Sequence, residues 1–128
     1  MKNQDIYSNA LSLLAQSIDG VENADFEERA PYILANFCRE AFELDKIVRG
    51  VLGLAIQNEF SNIQLPLDSD FPLLDRFAVV GAIYLAAMLI IDEDGDLSDK
   101  LYGMYCDSMA KLQSQIPAVI EKITDKYL

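Results

Sequence analysis

Apolar residues recur along this chain mainly at helical spacing, with one short stretch at strand spacing. Ile6, Ala10, Leu13 and Leu14 fall at i, i+4, i+7 and i+8, which predicts a helix from about Gln4 to Ser17 capped by Asn3. Asp19-Gly20 breaks it. A second helix is predicted from near Asp25, where Asp25 and Glu28 have the spacing of a capping box, to about Arg49. Its stripe is Ile33, Leu34, Phe37, Cys38, Ala41, Phe42 and Leu44, with Glu40, Glu43 and Lys46 pointing elsewhere. Pro31 falls early in this helix and removes one backbone bond, and Gly50 and Gly53 loosen its end. Val51, Leu52, Leu54 and Ile56 offer a further short helical piece. Ile63, Leu65 and Leu67 alternate with Gln64, Pro66 and Asp68, which predicts a short extended segment across the core. Pro66 argues against a central strand.

The third helix is predicted to begin around Asp70 to Pro72 and to end near Asp92. Nearly every position from Phe77 to Ile91 is apolar. A membrane span needs about 20 such residues, and Asp75-Arg76 and Asp92-Glu93-Asp94 bound this run closely. An all-round apolar helix of this length reads as the buried centre of a bundle. Gly81, Ala82, Ala86 and Ala87 let neighbouring helices approach it. After the turn Asp92–Gly95, a fourth helix is predicted with Asp96 or Ser98 as cap and Asp99 in its first turn. Leu97, Leu101, Met104, Tyr105, Met109 and Leu112 line its inner face, and Pro117 interrupts it. A fifth helix from about Pro117 to Tyr127 puts Val119, Ile120, Ile123 and Tyr127 on one side, and Glu121, Lys122, Asp125 and Lys126 on the other. So short a helix needs a partner surface, its own core or a neighbouring subunit. The fold expected is all-α. It is a single-domain bundle of four to five helices over residues 1–128, with one long central apolar helix and a short extended segment before it.

Composition fits one such domain: 128 residues, 52% hydrophobic and 24% charged. The net charge of −11 changes the picture more. Phosphate backbones and anionic lipid both call for a basic footprint, so neither nucleic-acid binding nor membrane docking is expected. The charge is also uneven. Between Glu59 and Asp99, Arg76 is the one basic residue among nine acids, whereas four lysines and three acids share the stretch from Lys100 onward. One reading is solubility; the other is a subunit with an acidic end and a near-neutral end, able to stack head to tail. Cys38 and Cys106 sit far apart within predicted helices, and a reduced pair of small core residues is expected. The opening residues carry too short an apolar stretch for a signal peptide, so no export is expected.

Candidate chemistry is sparse. There is no histidine, which excludes Ser-His-Asp and Cys-His nucleophile systems and His-containing zinc sites, and two cysteines cannot build Cys₄. No glycine-rich phosphate loop occurs. Asp92, Asp94, Asp96 and Ser98 imitate the start of a calcium loop, but Leu97 and Gly103 stand where that loop needs glycine and glutamate. These carboxylates read better as an acidic turn capping the fourth helix. Close pairs such as Glu27-Glu28 or Asp68/Asp70 are inevitable among 21 acids. Tyr102, Met104, Tyr105 and Met109 suggest either a ligand pocket or, at helical spacing, core and interface.

Three stretches carry a family likeness: ADFEERAPYILANFCREAFELDKI, IQLPLDSDFPLLDRFAVVGAIYLAAMLI and SDKLYGMYCDSMAKLQSQIP. Together they make an acidic cap leading into a long amphipathic helix, an extended segment feeding a long apolar helix, and a closing helix rich in Tyr and Met. In this the chain resembles the small helical head–tail connector, or adaptor, proteins of tailed phages and prophages. The resemblance implies a virion-assembly protein without enzymatic activity or cofactor. Copies would ring the portal, extend the DNA channel and contact tail-completion proteins, in the bacterial cytoplasm during assembly and then in the virion. An acidic channel lining would let DNA slide. Connector proteins often extend a C-terminal segment into the portal; here that arm would be the fifth helix or be lacking. The candidate interaction surface is Asp68, Asp70, Asp92, Asp94, Asp96, Lys122 and Lys126. The alternative is a cytosolic helical interaction or regulatory module, also non-catalytic.

Overall fold

The computed structural model describes residues 1–14 and 23–127, with side chains for 1–14 and 25–116. Four α-helices follow in order: α1 (Asn3–Leu13), α2 (Asn23–Leu52), α3 (Ala78–Ile90) and α4 (Gly95–Tyr127). A 3₁₀ turn, Asp75–Phe77, leads into α3. The chain is all-α, and no strand occurs among the described residues.

The apolar run forms the centre. In α3 every residue except Val79 and Met88 is buried, and α1, α2 and α4 all pack on it. None of the described helices is long and apolar enough to cross a membrane. Gly81 works as expected: a Cβ there would lie 2.9 Å from Phe37 Cε2, so its absence lets the Phe37 ring press on the α3 backbone. On the other side Ser98, itself buried, donates its hydroxyl to the Ala87 carbonyl at 2.9 Å and joins α4 to α3.

The N-terminus differs from expectation. Lys2, not Asn3, precedes α1, and its N–H donates to the Asp5 carboxylate at 3.1 Å. Asn3 is fully buried, and its amide donates to the Pro66 carbonyl at 2.9 Å. It is unavailable as a cap because residues 1–4 run antiparallel to 67–71. Asn3 N–H binds Ser69 O, Gln4 N–H binds Leu67 O, and Phe71 N–H binds Met1 O. Ile6, Tyr7, Ala10 and Leu14 are buried, while Leu13 is exposed. Ser17, the expected end of the first helix, lies outside the described residues.

Helix α2 is longer than predicted, 30 residues, with Asp25 already inside it. Asp25 pairs with Arg29 at 3.3 Å instead of capping. Pro31 is accommodated within the helix, and its carbonyl accepts the Leu65 N–H at 3.0 Å. Val51 and Leu52 complete α2. Gly53, with φ +73°, ends it in the left-handed region that glycine adopts without strain. Leu54 and Ile56 therefore add no helix. The expected extended segment reaches the core at Leu65, which is buried, and at half-buried Leu67; Ile63 is 74% exposed.

The third helix starts later than its proline suggested. Phe71 N–H is bound to Met1 O and Leu74 N–H to Asp45 Oδ1 at 2.8 Å, so residues 71–74 are held non-helical by partners outside the segment. Helix α4 takes its cap from Asp94, which accepts the Leu97 N–H at 3.0 Å, rather than from Asp96 or Ser98. Its core face is Ser98, Leu101 and Tyr105 with half-buried Met109, Leu112 and Ile116; Met104 is exposed. The helix runs through Pro117 to Tyr127 without a separate fifth helix. A proline forfeits one bond and crowds one carbonyl, which a 33-residue helix absorbs where a short one would break.

Candidate interaction surfaces

An open groove of about 800 Å³ lies between the first half of α2 and the C-terminal half of α3. Glu28, Arg29, Tyr32, Ile33 and Asn36 form one wall, Tyr84, Met88 and Ile91 the other, and Gln64 closes one edge. Arg29 bridges the walls, donating to the Met88 carbonyl at 3.2 Å and to Asp25 on its own helix. The groove is amphipathic, with an aromatic and thioether floor under an amide and charged rim.

Behind it lies an aromatic cluster joining three helices. Tyr84 and Tyr105 meet edge to face at 5.0 Å, Phe37 lies 5.7 Å from Tyr84, and Tyr102 covers Tyr105 at 5.5 Å. Tyr105 donates its hydroxyl to Glu40 Oε2 at 2.6 Å, so Glu40 is committed to the core contact although the helix pattern turned it outward. Burial, then this bond and the Glu40 charge, push the Tyr105 phenol up from its ordinary value. Tyr84 moves the same way, through burial and then Glu40 and Tyr102.

The two cysteines sit in different surroundings. Cys38 is buried; burial, then the Asp45 charge, hold its thiol well above the usual range. A thiol kept protonated is a poor nucleophile. Cys106 is exposed, contrary to the core role expected for both, because it follows Tyr105 on the outward side of α4. Among the described residues no three Cys, Asp or Glu side chains gather as a metal would need.

The predicted surface residues separate. Asp68 and Asp70 are exposed on the segment paired with the N-terminus, and Asp70 forms an ion pair with Lys2 at 3.1 Å. Asp92 and Asp96 are exposed on the turn after α3 and in the first turn of α4. Asp94 is half-buried as the α4 cap. The side chains of Lys122 and Lys126 lie outside the described residues. Asp92, Asp94 and Asp96 lie on the turn into α4 and its first residues, and Asp68 and Asp70 on the segment paired with the N-terminus.

Sequence reasoning missed the groove, because Arg29 and Met88, on its two walls, are 59 residues apart in the chain. It also passed over Arg76 as a site. Arg76 is exposed on the 3₁₀ turn and makes no ion pair or hydrogen bond among the described residues. It stands between a narrow cleft lined by Val48, Val51, Leu112, Gln115 and Ile116 and a shallow recess of about 430 Å³ lined by Arg49, Leu52, Leu73, Leu74 and Asp75. The signal was present, since it is the one basic residue in a long acidic stretch. No family model matches the chain, and no curated protein or solved structure matches it either.

Proposed function

We propose that this chain is a structural, non-catalytic subunit of a tailed phage or prophage: a head–tail connector that docks on a portal ring and extends the DNA channel. The family resemblance supplies the specific role. The observation in the structure that supports it is the length of α4. At 33 residues α4 is about 50 Å long, against about 20 Å for α3. Leu112 and Ile116 stand beside Val48 and Val51, one residue short of the end of α2, and α4 continues from there to Tyr127. That continuation reaches about 16 Å past the level at which α2 stops. It matches the docking arm that connectors extend into a portal, and its sequence is amphipathic.

The test is reconstitution with the portal protein encoded beside it, viewed by electron microscopy. The full chain is expected to decorate the portal as a ring. A variant ending at Ile116 is expected to keep its helical melting transition and lose docking. Failure of the full chain to bind that portal, or a gene lying away from portal, capsid and tail genes, overturns the proposal. The groove beneath Arg29 supports a second reading, an interaction module for an amphipathic partner segment. Pull-down of a host regulator in place of portal or tail proteins would favour it.

A further inference from the structure

The groove between α2 and α3 holds an unanswered donor. Tyr84 lines it and is only 8% exposed, yet its hydroxyl has no hydrogen-bond partner among the described residues. Burial, then the nearby Glu40 and Tyr102, keep this phenol protonated, and the Glu40 carboxylate already accepts from Tyr105 at 2.6 Å. An acceptor that enters the groove therefore gains a bond that the fold leaves open. Further donors stand around it. Asn36 Oδ1 accepts from Arg39 at 2.7 Å, which leaves the Asn36 amide N–H groups free among the described residues, and the exposed Gln64 amide is free there too. The apolar lining is half-buried Ile33 and Met88 with Tyr32 and Ile91, each 50% exposed. The charged lining residues, Glu28 and Arg29, are neighbours on α2. Arg29 is committed to Asp25 and to the Met88 carbonyl. Glu28, and Asp92 directly after Ile91, are exposed without ion pair or hydrogen bond among the described residues.

We propose that this groove seats an extended segment of another polypeptide, with apolar side chains at alternate residues and a lysine or arginine at the Glu28 end. The segment's backbone carbonyls accept from Tyr84, Asn36 and Gln64. A helical segment uses its carbonyls internally. An extended one leaves them free and places alternate side chains on one face, against Tyr32, Ile33, Met88 and Ile91. The lengths agree. From Glu28 to Asn36 the α2 wall rises about 12 Å, which about four extended residues cover. A small ligand is held by enclosure on most sides, whereas an open groove suits a chain that passes out at both ends. Charge complementarity sets the partner's sign: Glu28 and Asp92 await a cation, and a net charge of −11 repels an acidic segment. The inference rests on the interaction-module reading above and names the chemistry of its partner.

The test selects blocked peptides of about six residues on the full chain. One pool has lysine or arginine fixed at either terminus and the rest varied; the other has aspartate or glutamate fixed there. Enriched members are then titrated into isotope-labelled protein and followed by NMR. The basic pool is expected to enrich sequences with alternating apolar residues that shift the amides of residues 28–36, 64 and 84–91. Tyr84→Phe is expected to weaken them by about threefold to tenfold. It should not lower the melting temperature, because the hydroxyl bonds no other residue in the free protein. Glu28→Lys is expected to weaken the basic members and to favour acidic ones. Pools that enrich nothing, shifts confined to other residues, or affinity indifferent to both substitutions overturn the proposal. So does benzoate shifting the same amides while no peptide binds, which makes the groove a small-anion site. A defined regulator that binds wild type, Tyr84→Phe and Glu28→Lys alike would sink this seat and leave the interaction-module reading standing.

Discussion

Replacing Asp45 by alanine should destabilise the protein far more than removing any surface carboxylate. Asp45 is 3% exposed, and both of its oxygens are engaged. Oδ2 accepts Arg49 Nε at 2.8 Å, and Oδ1 accepts the Leu74 N–H at 2.8 Å. Breaking a buried pair from one side costs about 3–5 kcal/mol. The Arg49 side chain is 20% exposed and keeps its bonds to the Ala55 and Pro72 carbonyls, which favours the lower figure, about 3 kcal/mol. With an unfolding entropy of about 2.1 cal/mol/K per residue, a chain of this length has roughly 0.27 kcal/mol/K, so the melting temperature should drop by about 11 °C. Asp70→Ala is the control. Its pair with Lys2 is exposed on both sides and should contribute at most about 0.5 kcal/mol, or about 2 °C. Circular dichroism at 222 nm reads both. Limited proteolysis should cut Asp45→Ala within residues 53–74 at concentrations that spare the wild type, because that loop loses its tether at Leu74. Equal melting shifts for the two variants would refute the reasoning.

Gly81→Ala places a methyl against the Phe37 ring, which is fully buried and held between Tyr84 and Tyr105. Overpacking of about 1–3 kcal/mol should exceed the roughly 1 kcal/mol that alanine gains in a helix, lowering the urea midpoint with an unchanged m-value; a more stable variant would contradict the close approach. Tyr105→Phe removes the bond to Glu40, costing about 1 kcal/mol at pH 7. The folded protein holds this phenol protonated above its ordinary 10.0, so the unfolded chain ionises first. The stabilisation is complete below pH 10 and is lost as pH rises through the folded value, by up to about 1.4 kcal/mol per pH unit. The stability gap between wild type and variant should therefore narrow from pH 9 to 12 in urea titrations, and a widening gap would show the sign to be wrong.

The helices were legible because apolar periodicity is a local property. Leu34, Phe37, Cys38 and Ala41 recur at helical spacing whatever lies opposite them, and the run from Phe77 to Ile91 is too short and too closely flanked by acids to be a span. Helix boundaries were less legible wherever a distant group decides them. Pro72 suits a first turn, yet Asp45, far back in the chain, binds the Leu74 N–H and delays the helix to the 3₁₀ turn. Asn3 is a good cap by type, but Pro66 engages its amide. Pro117 breaks short helices, but the length of α4 carries it. Cys106 looked like core because cysteine usually is, and only the rotation of α4 fixed by Leu101 and Tyr105 turns it outward.

The same long-range bonds decide what the arginines of this acidic chain do. The chain has four arginines, and three of them, all on α2, are committed to backbone carbonyls. Arg29 holds Met88, Arg39 holds Asn62, and Arg49 holds both Ala55 and Pro72. The segment between Gly53 and Leu74 has no helix or ladder of its own, so its carbonyls need donors from elsewhere, and guanidinium groups supply several at fixed angles. Of these three, only Arg29 also pairs with an exposed carboxylate among the described residues, that of Asp25. Arg76 is the exception: among the described residues it binds no carbonyl, and it is exposed on the 3₁₀ turn beside Asp75.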